Sequence, residues 1–325
     1  MKKQKEFKKL RLINTFSEGE IIQGFYLCVE KNLRYTRTKD LFIDLELKDL
    51  TGHINGKIWN NVSELNGKFN AGDAVAISGT VELYKDQHHL IIKKINKATI
   101  QHYGRYGFDP ANIVPTSNKN PLKMWEILRL IIKGIKNDSL RRLVENIYRI
   151  NKKKLMYHPA SIRLSYNYRS GLLEHILSMV QIAKKICTLY DVDKDLVIAG
   201  ILLFKIGKIK EINSEFIPDY TKEGNLLGHM ALGRDIIRET IKNIKNFPDH
   251  LACQIEHIIL SQNEIISSRS QQKPSFPESL LINKIHDLDS KMNLMEQILE
   301  EDLGTGDFTS KYNYFRGPLL KRNGS

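Results

Sequence analysis

The feature that most constrains this chain is a change of period near residue 100. From Ile21 to Lys97 apolar and polar residues alternate in short runs broken by turn residues, whereas from Met124 onward apolar residues recur every three or four positions. Alternation sends successive side chains to opposite faces of a strand, and the longer interval gathers them on one face of a helix. A chain that reads first with one period and then with the other is expected to be a multidomain α+β protein, β-rich at its N-terminal end and all-α beyond. Its 325 residues suit two or three domains, and 41% hydrophobic with 27% charged residues is ordinary for a chain with packed cores.

The alternating part predicts five strands, Ile21–Glu30, Leu41–Lys48, His53–Trp59, Ala74–Tyr84 and His89–Lys97, with a short helical stretch from Val62 to Leu65. Five short strands in this order predict an OB-fold barrel spanning 13–100. Within it Leu41, Ile43, Leu45, Leu47, Ile54 and Ile58 fall on the inward face, and Phe42, Lys48, His53, Asn55, Lys57 and Trp59 on the outward one. Rings set among cations are what an OB-fold needs to hold a single strand, because bases stack on rings while phosphates meet Lys and Arg. The flanking loops are expected to add Arg34, Tyr35 and Arg37, then Tyr84, Lys85, His88 and His89. The alternative for Phe42 and Trp59 is that each ring anchors a neighbouring domain.

The net charge of +13 is concentrated in two places. Residues 1–12, a basic N-terminal arm, hold six Lys/Arg against one Glu, and residues 101–156 hold twelve against four Asp/Glu, while the rest of the chain balances. The second stretch opens with a Gly-, Pro- and Asn-rich linker and continues as connector helices that include the run Lys152, Lys153 and Lys154. Such patches suit a phosphate backbone, or else are solvated faces that aid solubility. Tyr103, Tyr106 and Phe108 beside Arg105 form a second place where bases could stack.

Cys28, Cys187 and Cys253 lie far apart in apolar stretches and are expected to be buried free thiols. The basic start lacks the apolar core of an export signal, and the longest apolar run is too short to cross a bilayer, so a cytoplasmic protein with no membrane partner is expected.

From residue 157 to 325 five segments carry further information: GLLEHILSM around His175, ILLFKIGK from Ile201 to Lys208, NLLGHM around His229, IEHIILSQN around His257 and INKIHDLDSKM ending at Met292. Their order resembles that of the metal-dependent HD phosphohydrolases. The run FNAGDAVAISGTVELYKDQHHLII resembles the closing strands of an anticodon-binding OB domain. Together they resemble the YhaM-type 3′-5′ exoribonucleases, in which an OB-fold precedes an all-α HD domain, and the tail FTSKYNYFRGPL is also similar.

The resemblance implies metal-ligand positions at His175, His229 and His257. It also exposes departures: the central His-Asp pair is Phe204-Lys205, the paired histidines after ILS are Gln262 and Asn263, the first Asp of the last segment is His286, and Ser165 and Tyr166 stand where further histidines are expected. Lys208 keeps the family residue. Phenylalanine has no lone pair and an ammonium repels a cation, so high-affinity metal binding is expected to be lost, with Lys205 buried in the vacated position and paired with Asp287 or Asp289. The expected function is therefore binding of single-stranded nucleic acid, with RNA implied by the resemblance, by a catalytically impaired family member that needs no cofactor. Two alternatives stand beside it: an active 3′-5′ exoribonuclease using manganese or magnesium in a remodelled histidine site, and a structural subunit that associates with itself or with an active paralogue.

Overall fold

The computed structural model describes residues 11–213, 216–262 and 273–321. Most of the basic arm and Asn263 lie outside them. The chain divides into two units, one ending at Thr116 and the other beginning at Ser117.

The first unit is a closed five-stranded barrel of β1 (Ile21–Tyr35), β2 (Leu41–Lys48), β3 (His53–Ile58), β4 (Ala74–Tyr84) and β5 (Gln87–Lys97), in the order β1-β2-β3-β5-β4. All pairings are antiparallel except β3 with β5, where Asn55 faces His89 and Lys57 faces Ile91. Helix α1 (Val62–Asn66) makes the connection from β3 to β4. The inward face follows the alternation: Ile43, Leu45, Leu47, Ile54 and Ile58 are buried with Ile22, Tyr26, Val75, Val81 and Ile95, and Leu41 packs at the edge. β1 runs five residues further than its pattern suggested, because a bulge between Cys28 and Glu30 bends the strand and lets Arg34 and Tyr35 pair with Phe42 and Leu41. Arg34 and Tyr35 therefore end a strand, Tyr84 ends β4, and His88 and His89 lie on β5; only Arg37 and Lys85 are in turns.

The connector expected as one segment over 101–156 is shared between the units. Its first part, with helix α2 (Ile100–Tyr103), is fastened to the barrel by Phe25, whose ring meets Tyr103 at 5.7 Å and Phe108 at 5.1 Å. Two of the three rings expected to await bases are thus spent on packing, and Tyr106 alone stays open beside Arg105, at 4.8 Å.

The second unit is helical: α3 (Pro121–Lys133), α4 (Asp138–Ile150), α5 (Lys152–Tyr157), α6 (Gly171–Ile186), α7 (Lys194–Phe204), α8 (Lys208–Glu211), α9 (Lys222–Lys242), α10 (Asp249–Leu260) and α11 (Pro277–Glu301). Asn120, Asn137, Asp193 and Thr221 cap α3, α4, α7 and α9 by accepting from first-turn amides. α7 is the axis of this unit. It has no polar stripe because α4, α6, α10 and α11 pack around it, and every residue from Ala199 to Phe204 is buried. Cys28 and Cys187 are buried as expected, whereas Cys253 is exposed on the outer side of α10. Among the described residues no helix is long and apolar enough to cross a membrane.

Candidate nucleic-acid face and the histidine cluster

The outward side chains of β2 and β3 form a continuous row. Phe42 and Trp59 stack with centroids 4.6 Å apart and planes 27° from parallel, so the rings support each other. Trp59 is 41% exposed, which leaves area for a further ring. Lys57 bridges onward, its Nζ 5.7 Å from the centroids of both Trp59 and Tyr84. Lys85 lies 5.5 Å over Tyr84 from the hairpin turn, and His89 meets the edge of the same ring at 6.0 Å. Burial and the charge of Lys57 lower the pKa of His89, so its imidazole is neutral at pH 7. At the other end Tyr35 is exposed, and Arg34 is engaged by Asp44 at 3.1 Å. Arg37 and His88 are exposed at the margins.

The lysine run is on α5 of the helical unit. Lys152 lies 5.7 Å from the Trp125 ring, Lys154 donates to the Ile209 carbonyl at 3.2 Å, and Lys153 is exposed. Two of these three cations therefore also serve the fold.

Within the helical unit the altered positions gather around the end of α7. His175 on α6 is buried and its Nδ1–H donates to Asp289 Oδ2 at 2.7 Å, while Ser178 donates to the other carboxylate oxygen. His286 on α11 lies between rings, 5.3 Å from His175 and 5.2 Å from Phe204. Its burial, with the nearby charge of Lys205, holds its pKa well below the usual value. Lys205 is buried just past α7, with Nζ 3.3 Å from His229 Nε2. The same ring nitrogen meets Gln262 Oε1 at 3.1 Å, and the amide of Gln262 donates to the Phe204 carbonyl, which fixes its orientation.

Two carboxylates complete the cluster, and one was not foreseen. Glu211, at the end of α8, accepts from Lys208 Nζ at 2.6 Å and from the His229 backbone amide at 3.1 Å, with His229 Nδ1 at 3.4 Å. Burial alone would raise its pKa, but the His229 hydrogen bond and the charge of Lys208 prevail and bring it to about 2. This closeness depends on glycine. A Cβ on Gly207 would stand 1.9 Å from the His229 carbonyl oxygen, and Gly228, at φ 70°, kinks α9 immediately before His229. The Lys-x-x-Glu spacing of Lys208 and Glu211 on one helical turn was the available sequence signal.

His257 is turned elsewhere, accepting from the Ser275 amide at 3.1 Å and lying against Phe276. Asp287 pairs with Lys291 at 2.8 Å on the exposed side of α11. The residues present do not fit a divalent ion. One ring nitrogen of His175 is spent on Asp289, and His229 Nε2 is spent on its neighbours. Phe204 offers no donor, and Lys205 brings a charge of the ion's own sign into the middle of the set. Among the described residues no group of three or more His, Cys, Asp or Glu is arranged to hold a metal.

Comparison with known proteins bears on the barrel and on the chain as a whole. Residues 29–98 match the family of OB-fold nucleic acid binding domains of the tRNA anti-codon type. Over 297 residues, 91% of this chain and 91% of its relative, the sequence is 27% identical to the 3′-5′ exoribonuclease YhaM of Halalkalibacterium halodurans. Similar solved structures include the second OB-fold domain of replication protein A from Methanococcus maripaludis, 21% identical over 27% of this chain and 92% of that one with a TM-score of 0.23. Another is the SSB domain of a Synechococcus protein, 17% identical over 25% of this chain and 97% of that one with a TM-score of 0.22. Over 91% of its length the chain is thus YhaM-like, similar to a 3′-5′ exoribonuclease and carrying an OB-fold nucleic-acid-binding domain at its N-terminal end.

Proposed function

We propose that this protein binds single-stranded RNA along the outward face of its barrel and that its helical unit does not hydrolyse the strand by metal-assisted chemistry. The observation that carries the first half is the row Phe42, Trp59, Lys57 and Tyr84, in which the Lys57 ammonium stands between the stacked pair of Phe42 and Trp59 and the ring that ends β4. A base has a π-face to lay on Trp59 or Tyr84, and the phosphate that follows it has Lys57 or Lys85 within reach. The likeness to an exoribonuclease over most of the chain is what supports RNA rather than DNA as the strand. The second half is supported by the donor set: the metal-ligand positions hold a ring without lone pairs, an ammonium, and imidazoles already bonded within the protein.

On this reading the protein is a cytoplasmic pseudoenzyme that holds a strand without shortening it. The test pairs two measurements on the same preparation. Fluorescence anisotropy with labelled 12-nucleotide RNA and DNA should give saturable binding, tighter for RNA. Gel analysis of the same RNA with manganese or magnesium should show no trimming above a no-protein control. Trimming that depends on added metal and disappears on His229→Ala would establish an active, remodelled site instead.

A further inference from the structure

Next to the stacking row the barrel has a groove with a different chemistry. It is lined by Ile13, Phe16 and Ile54 at its floor and by Asn14, Asn55, Gln87 and His88 among its polar residues. The three floor residues are almost completely buried, whereas the four polar side chains are exposed and make no hydrogen bond with another described residue. These are amides and an imidazole, which can both donate and accept, and the set contains no lysine or arginine. Glu46, opposite Asn55 in the β2–β3 register, has its carboxylate engaged by His53 at 2.6 Å. An apolar floor edged by amides that both donate and accept suits a flat heterocycle better than it suits a phosphate.

The groove is continuous with the row. His53, Asn55 and Lys57 alternate along the outward face of β3 and Trp59 continues them one residue past its end, and Asn55 faces His89 on β5, two positions beyond Gln87. A strand stacked on Trp59 and passing Lys57 arrives next at Asn55. We infer that the groove is a base-reading subsite, in which Asn55 and Gln87 hydrogen-bond the edge of one nucleobase of a bound single strand and give this protein a base preference that stacking alone does not supply. The inference rests on the proposed binding of a single strand to the barrel face.

The experiment measures the full-length protein by anisotropy against 12-nucleotide homopolymers of A, C and U. Variants Asn55→Ala/Gln87→Ala and Trp59→Ala are measured beside it, with thermal melts to confirm folding; the first pair is exposed, so its melt should be unchanged. The unaltered protein should favour one homopolymer over the weakest by about tenfold, the scale of one good bidentate contact. The double variant should bring all three within about twofold, while Trp59→Ala should weaken all three by a similar factor and keep their ranking. Equal binding of the three by the unaltered protein, or a preference that survives in the double variant, overturns the subsite. If the unaltered protein binds none of them, the barrel-face reading falls as well.

Discussion

Lys205 Nζ lies 3.3 Å from Nε2 of His229, with both side chains buried in the helical unit. The resemblance to the HD phosphohydrolases leads to the expectation of a carboxylate at the lysine position and of a metal ligand at His229. Here the contact is made between side chains of the protein itself, and Gln262 Oε1 meets the same ring nitrogen at 3.1 Å.

The first prediction is that the unaltered protein, titrated with manganese in a calorimeter, gives no tight stoichiometric heat. An ion entering beside Lys205 would meet a like charge in a poorly solvated site, and His175 would have to leave Asp289 to contribute its Nδ1. Micromolar binding with a stoichiometry of one would sink this account of the cluster.

Glu211 carries the second prediction. Its carboxylate is the partner of both Lys208 and His229, so Glu211→Gln leaves a buried ammonium without its counter-charge. Loss of one member of a buried pair costs roughly 3 to 5 kcal/mol, and a large fall in the denaturant midpoint with an unchanged slope is expected. Because the folded pKa of Glu211 is depressed to about 2, its contribution is present above the ordinary glutamate value of 4.5 and is lost as pH falls toward 2. The pH dependence of stability between these limits should be shallower in the variant. A midpoint that stays within error of the unaltered protein would show that the pair is not a structural element.

His158 predicts a separate pH effect at milder acidity. Its Nε2 reaches the Ile212 carbonyl at 3.0 Å, and burial lowers its pKa from 6.5 to about 4. The folded state therefore disfavours the proton that the unfolded chain accepts near pH 6.5. Stability from this residue is complete above 6.5 and declines as pH falls toward 4, by about 3 kcal/mol across the window. Melting temperatures should drop between pH 7 and 5, and less steeply in His158→Gln, which keeps a donor but does not titrate. Parallel curves for the two proteins would assign the acid sensitivity elsewhere.

The barrel was legible in the sequence because a period of two assigns each residue to a face without reference to anything distant. Ile43, Leu45, Leu47, Ile54 and Ile58 are buried as the alternation requires. What it could not convey was the bulge near Cys28 that lengthens β1, or the use of Phe25 as a seat for Tyr103 and Phe108. In the helical unit the altered positions were visible as residue types, yet their partners were not. Asp287 and Asp289 were equal candidates to pair with Lys205; the helix phase puts Asp287 on the exposed side with Lys291, and the Asp289 carboxylate is engaged by His175 and Ser178. Glu211 came into the cluster only through the backbone approach at Gly207, a contact between α8 and α9 that no local pattern announces.

The last prediction separates the two rings of the stacked pair. Phe42 is half-buried beneath Trp59, and the tryptophan is the more open of the two. Trp59→Ala should therefore remove the surface on which a base lies and weaken binding of single-stranded RNA by about 1 to 3 kcal/mol, with little change in melting temperature. Phe42→Ala should act through Trp59, because the indole loses the ring that fixes it at 4.6 Å. Its effect on affinity should be smaller, and Phe42→Leu, which restores apolar support without an aromatic face, should recover most of it. Lys57→Ala should lower the slope of log affinity against log salt by about 0.7, the value for one lost phosphate contact on a single strand. A fall in melting temperature on Trp59→Ala, with unaltered affinity in the folded fraction, would instead make this ring a structural anchor and remove the main support for binding at the barrel face.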